Sequence, residues 1–242
     1  MVNGDPIIEE MTGAGLQFGH KTSKTHPKMK PFIAGIRNTV HIFNLEKTKE
    51  KLDEALQFIS GLAGEGKVLL LVGTKVQIKN LAKETAIACS IPFVTERWLG
   101  GTFTNFETIS KRITELIDLE KKKEAGEFAK YTKKEQAGFE ERIKELELKY
   151  GGLRALTKVP EAVFICDLDE NGLVLREAKK KGISVIAICD SNIDPTLVDY
   201  CIPANDDAQS AVRYILDRVK STLSSGRVPS RMAGQIPENQ NG

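Results

Sequence analysis

The chain has 242 residues, 40% hydrophobic and 28% charged, with a formal net charge of +2 at pH 7. That length suits one large domain, or a domain with an appendage, built around a real core. There is no apolar run long enough to cross a bilayer, and MVNGDPIIEE lacks the basic and apolar regions of a secretory signal, so neither a membrane span nor a signal peptide is expected. The four cysteines, Cys89, Cys166, Cys189 and Cys201, form no CxxC pair, and three lie in or beside apolar runs. They read as small buried hydrophobes in a reducing, cytoplasmic setting.

Net charge says little here, but its distribution says more. From Met11 to Leu45 there is no Asp or Glu, while Lys21, Lys24, Lys28, Lys30, Arg37 and all three histidines fall there. Residues 1–45 are therefore read as a basic N-terminal segment. "GHKTSKTHPKMKPF" reads as an extended loop, and "NTVHIFNL" as a short strand. Leu52, Leu56, Ile59 and Leu62 then mark the buried face of a helix over about 46–63.

Strand and helix signals alternate from there. "KVLLLVGTK" and "IPFVTERW" read as strands around the helical "VQIKNLAKETAIACS". "EAVFICDLD", "ISVIAICDS" and "VDYCIPA" repeat the strand pattern, separated by "NGLVLREAKKKG" and followed by "DDAQSAVRYILDRVKSTL". The expected fold is α/β: a parallel, Rossmann-like sheet with helices on both faces, formed by 46–105 and 151–224. Between these pieces, residues 107–149 carry 11 Lys/Arg and 11 Asp/Glu. Phe106, Ile109, Ile113 and Leu116, then Phe139, Ile143, Leu146 and Tyr150, give two narrow apolar seams. Thr132 and Glu135 stand at capping-box spacing. Residues 106–150 thus read as an inserted antiparallel coiled-coil protrusion that folds separately from the sheet. The alternative is a helix pair lying on the core. Residues 225–242 read as a flexible tail.

Catalytic motifs fail on their context. Gly61, Gly66 and Lys67 have phosphate-loop spacing, but Val68 replaces the Ser or Thr, and the motif runs from helix into strand. "DLDENG", with Asp167, Asp169, Asn171 and Gly172, resembles a calcium loop but has Ala178 where a bidentate Glu is needed, so it reads as a strand-to-helix turn with an Asp as its cap. "VGTK" at Val72–Lys75 follows a strand and is only a weak phosphate contact. No catalytic constellation is visible.

The ordered motifs "FGHKTSKTHPKMKPFIAGIRNTVHIFNLEKT", "LLLVGTK", "RWLGGTFTNF", "AVFICDLD", "GISVIAICDSNIDP" and "DYCIPANDDA" closely resemble the bacterial small ribosomal subunit protein two family. The resemblance spans about Gly15 to Ser224. It implies a structural role with no enzymatic activity and no small-molecule substrate. It also implies binding to small-subunit ribosomal RNA, neighbouring ribosomal proteins, and help in docking the large mRNA-binding protein one. On charge, Lys21, Lys24, Lys28, Lys30 and Arg37 are the candidate RNA contacts, against the plainer reading of a solvated loop; Arg97, at the RWLGG corner, is free to meet RNA or a core carboxylate. Trp98, Gly100 and Gly101 are expected to set the junction between core and arm.

One further cluster follows from the expected topology. Strand ends and helix starts gather on one edge of a parallel sheet, so Asp190 and Asp207 are expected together there. Two carboxylates need a cation between them. His20 supplies it when protonated, or joins them in holding a divalent metal such as zinc. Otherwise Asp207 caps its helix, Asp190 caps a turn and His20 touches RNA. No cofactor is required on this reading, and a zinc ion is the candidate metal.

Overall fold

The computed structural model describes residues 5–226. The expected flexible tail therefore falls almost wholly outside the described residues. The chain opens with helix α1 (Pro6–Ala14), capped by the Asp5 side chain on the Ile7 N–H. Nothing in the apolar spacing announces this helix. Its apolar contribution is concentrated in Met11, whose buried side chain joins the core beside Leu16.

The basic stretch expected as an extended loop is more ordered than that. It forms β1 (Phe18–Lys21), two 3-10 turns (Thr22–Lys24 and Pro27–Phe32), β2 (Ile33–Arg37) and β3 (Val40–Phe43). The strands make an antiparallel sheet in the order β1-β3-β2. Such pairing depends on partners distant in sequence, and the strands are too short to show periodicity on their own. The expected strand at "NTVHIFNL" is β3.

Helix α2 (Leu45–Gly64) starts where the Asn44 side chain accepts from the Glu46 and Lys47 N–H groups. It buries Leu52, Ala55, Ile59 and Leu62. Next come β4 (Leu69–Val72), α3 (Lys79–Cys89) and β5 (Phe93–Val94). Two long helices follow, α4 (Phe106–Glu124) and α5 (Lys133–Tyr150). The chain then returns through β6 (Ala162–Ile165), α6 (Gly172–Lys181), β7 (Ser184–Cys189), β8 (Tyr200–Pro203) and α7 (Gln209–Gly226).

The five core strands pair in parallel in the order β5-β4-β6-β7-β8. Both faces are covered, which is why β4 and β6 read as unbroken apolar runs. Leu69, Leu71 and Phe164 pack towards α2, α3 and α7, with Ala55, Ile59, Ala82 and Ile215. Leu70, Val72 and Val163 pack the other way, with Val174 and Ala178 of α6. Each fully buried Leu, Ile or Phe in these layers contributes roughly 1.5–3 kcal/mol. Three cysteines behave as read: Cys89, Cys166 and Cys189 are buried, and burial pushes the Cys166 thiol up, whereas Cys201 is half-buried.

The helix pair α4–α5 has the expected cap. The Thr132 hydroxyl accepts from the Glu135 N–H, and the Glu135 carboxylate accepts from the Thr132 N–H. Leu116 and Leu146 are buried in the seam, and Arg142 bridges to Glu115 at 2.9 Å across it. The base of the pair does not stand apart from the sheet. Ile109 and Ile113 belong to the same buried cluster as Trp98, Phe103, Leu153 and the sheet residues Leu70 and Val72.

Candidate RNA-binding face and acidic sheet edge

Trp98 lies in the turn before α4, 7% exposed, edge-on to Phe103 with ring centroids 4.8 Å apart. What fixes this turn is a residue that sequence reasoning missed, Glu177 of α6. One of its carboxylate oxygens accepts from the Trp98 indole N–H at 3.4 Å and the Gly101 N–H at 2.8 Å. The other accepts from Phe103 N–H at 3.0 Å, and from the Thr104 N–H and hydroxyl at 3.2 Å. Burial alone would raise this carboxyl. The donated hydrogen bonds outweigh burial and hold it below the ordinary carboxylate value. Gly101 has φ of 95°, which only glycine adopts readily, whereas a methyl on Gly100 would meet Leu173 at an ordinary 3.8 Å.

At the C-terminal edge of the sheet the structure brings together His20, Asp190 and Asp207 as expected. One ligand atom from each lies within 4.8 Å of the others. The His20 N–H of the backbone donates to Asp190 Oδ1 at 3.1 Å and Ser191 Oγ at 2.9 Å, which pins β1 to the end of β7. Gly19 eases the close approach, because a Cβ there would sit a tight 3.0 Å from Ser191 Oγ. The imidazole Nδ1 is 3.0 Å from Asp190 Oδ2, yet it is buried and has no in-line hydrogen-bond partner. Its Nε2 is 3.7 Å from Asp207 Oδ2.

The principal cation of this cluster, Lys75, also escaped sequence reasoning. Its ammonium lies 2.6 Å from Asp207, 3.3 Å from Asp206 and 3.4 Å from Asp167. Lys75, weighed above as a phosphate contact, is therefore committed to carboxylates. Burial and the neighbouring Asp167 and Asp190 push Asp206 up to about 7, while the bond to Lys75 keeps Asp207 low. Burial would lower His20, but the carboxylates of Asp190, Asp207 and Asp206 win and raise it. Asp207 does not cap α7. The turn before that helix is held by Asn205, whose side chain accepts from the Asp207 and Ala208 N–H groups. Asp167 does cap its turn, accepting from the Asp169 and Glu170 N–H groups.

Of the candidate RNA contacts, Lys28 is engaged within the protein, with its ammonium 2.8 Å from Asp194 and 2.8 Å from the Thr196 hydroxyl. Lys21, Lys24, Lys30, Arg37 and Arg97 are exposed and make no ion pair among the described residues.

The family profile described as "Ribosomal protein S2" matches residues 11–226. The "Small ribosomal subunit protein uS2" of Chloroflexus aurantiacus is 42% identical over 219 residues, covering 90% of this chain and 92% of that protein. That of Chloroflexus aggregans matches with the same identity and coverage. The chain belongs to the ribosomal protein S2 family. Membership makes it a structural ribosomal protein of the translation machinery and not an enzyme. Among the described residues, no helix is long and apolar enough to cross a membrane.

Seen in an S2-family chain, the charge of α4 and α5 has a pattern that the neutral total hid. Residues 121–134 hold six lysines against Glu124 and Glu127, so the bend between the helices is basic and their shafts are acidic. Shaft cations are mostly paired: Lys111 with Glu107, Arg112 with Glu115, Arg142 with Glu115 and Glu145, and Lys149 with Glu145. At the bend, Lys121, Lys122, Lys130, Lys133 and Lys134 have no ion pair among the described residues, and only Lys123 has one, to Glu140 at 3.6 Å.

Proposed function

We propose that this chain is a structural constituent of the bacterial small ribosomal subunit that grips small-subunit ribosomal RNA through its acid-free N-terminal segment. The observation that carries this reading is the set of exposed, unpaired cations Lys21, Lys24, Lys30 and Arg37 in a stretch of 35 residues without one carboxylate. Lys28 has a different part. By binding Asp194 it holds the segment against the core, so that the other cations face outwards. Arg97, exposed at the junction with the helix pair, offers a separate contact. The α4–α5 pair acts as a coiled-coil protrusion whose basic bend meets a further polyanionic surface. Exposed Ile87 and Leu148, beside Phe93, offer apolar area for a protein neighbour such as the mRNA-binding protein one.

Binding of the purified chain to small-subunit ribosomal RNA, measured across salt concentrations, tests this reading. Removing a cation that neutralises one phosphate lowers the slope of log K against log salt by about 0.7 to 0.9. Replacing Lys21, Lys24 and Lys30 with Gln is expected to weaken binding and flatten the slope. An unchanged slope would overturn the assignment.

A second reading concerns the sheet edge. One imidazole nitrogen and two carboxylate oxygens make an acceptable donor set for a divalent ion such as zinc. The buried Nδ1 of His20, 3.0 Å from Asp190 Oδ2 but out of line for a hydrogen bond, supports it, and Lys75 is the competing cation. The ion's contribution would be to fasten β1 to the sheet edge. Metal analysis after mild dialysis decides the matter. About one zinc per chain in the wild type and none in His20→Ala is the expected result. Equal substoichiometric metal in both would remove the reading.

A further inference from the structure

The small sheet presents an outward face that the core does not use. Directly opposed residues on paired strands share a face. Phe18 and Gly35 both stand opposite Ile42, and Lys21 and Arg37 both stand opposite Val40. One face therefore carries Phe18, Lys21, Gly35, Arg37, Val40 and Ile42. The other carries His41 and Phe43, both buried. On the outward face Phe18 is 42% exposed, Lys21 and Arg37 are exposed, and Gly35 has nothing within 4 Å of where a side chain would begin.

Two features suggest that this ribbon is built to be covered. Four of the five residues of β2 are exposed, so most of the strand is solvated on both sides, which is marginal for three short strands standing alone. The turn joining β2 and β3 has positive φ at Asn38 (49°) and Thr39 (64°). Two residues of that kind make the tight hairpin turn that matches strand twist. Asn is common there, but a β-branched Thr is not, and an uncommon backbone state of this kind is typical of a working surface. The turn sets Arg37 opposite Val40, beside a shallow concavity lined by Phe18, Arg37, Asn38 and Val40.

We propose that this face is a platform for unpaired RNA nucleotides, with a base lying on the Phe18 ring and the flanking phosphates meeting Lys21 and Arg37. The inference rests on the RNA-binding reading above and names the form of RNA that this part of the segment takes. Charge complementarity argues for a polyanion, because neither cation has an ion partner and the segment contains no carboxylate. An exposed aromatic on the same face, sharing a concavity with Arg37, argues for a base rather than a phosphate alone. A duplex hides its base faces in its own stack, so the fitting ligand is single-stranded. Gly35 leaves the sheet surface flat enough for a planar ring to lie across it.

The test uses the full chain with a ten-nucleotide oligouridylate and, separately, a ten-base-pair RNA duplex. Phe18→Ala is expected to lose about 10-fold in affinity for the single strand, within the range for one stacked base. Its salt slope and its duplex affinity should stay unchanged, and Phe18→Tyr should retain binding. Arg37→Gln should lower the salt slope instead. In Phe18→Trp, oligouridylate should quench the new indole, while wild type, with only the buried Trp98, should show no change. Circular dichroism of each variant checks folding. If Phe18→Ala binds the single strand as wild type does, or the indole at position 18 is not quenched, the platform does not exist although the RNA reading survives. If the wild type binds neither RNA, both readings fall.

Discussion

Glu177 shows how one side chain fixes a junction. Its carboxylate collects the indole N–H, three backbone N–H groups and a hydroxyl from Trp98 to Thr104. Glu177→Ala would leave these donors buried without their acceptor and is expected to cost about 3 kcal/mol, read by urea unfolding. Because the folded carboxyl is held low, its contribution is present above the ordinary value of 4.5 and is lost as pH falls through the lower, folded value. The stability gap between wild type and Glu177→Gln should therefore narrow only in acid. The glycine pair separates in the same way. Gly101→Ala should destabilise by about 1 kcal/mol or more, whereas Gly100→Ala should be nearly neutral. "RWLGG" was legible as a packed corner, since Trp and paired glycines announce one, while its place between core and arm came from the family resemblance. Glu177 was not, because its partners lie more than 70 residues away and it sits among ordinary helix charges. Lys75 was hidden for the same reason: its three aspartates come from two other turns.

At the scale of elements, periodicity served best where an element buries a continuous face. The five core strands and the helices α2 to α7 stand close to where their apolar patterns put them. The pattern failed on α1, where Met11 is the single buried residue, and on the antiparallel ribbon, where order comes from pairing rather than from local sequence. The helix pair shows how far a seam can be read. Its stripe and capping box were visible, but the sequence could not reveal that Ile109 and Ile113 join the sheet's own cluster. The consequence concerns where the pair can be cut. Removing residues 119–140 and closing the gap with a short glycine linker keeps Ile109, Ile113, Leu116 and Leu146, so cooperative unfolding should persist. Removing 108–148 takes all four, at roughly 2 kcal/mol each, and uncovers Trp98 and Phe103. That shorter chain is expected to lose its cooperative transition in thermal unfolding. If it kept a transition as sharp as wild type, the base of the pair would have to be independent of the sheet.

Over the whole molecule, charge is segregated although the sum is +2. Acidic side chains gather at the sheet edge around Lys75 and along the helix shafts, where cations pair with some of them. Unpaired cations collect at the N-terminal segment and at the bend between α4 and α5. The helix α4 alone spans about 28 Å, and on the proposed function the two basic regions meet separate phosphate surfaces. The claim at the centre of this account is that these surfaces hold the chain on the small ribosomal subunit through phosphate contacts. The most direct measurement is sedimentation of the chain with purified small subunits over a series of salt concentrations. Wild type should travel with the subunit at low salt and be released as salt rises, and a variant carrying Gln at positions 21, 24 and 30 should be released at lower salt. A chain that sediments alone at every salt concentration, or a variant released at the same salt as wild type, would contradict it.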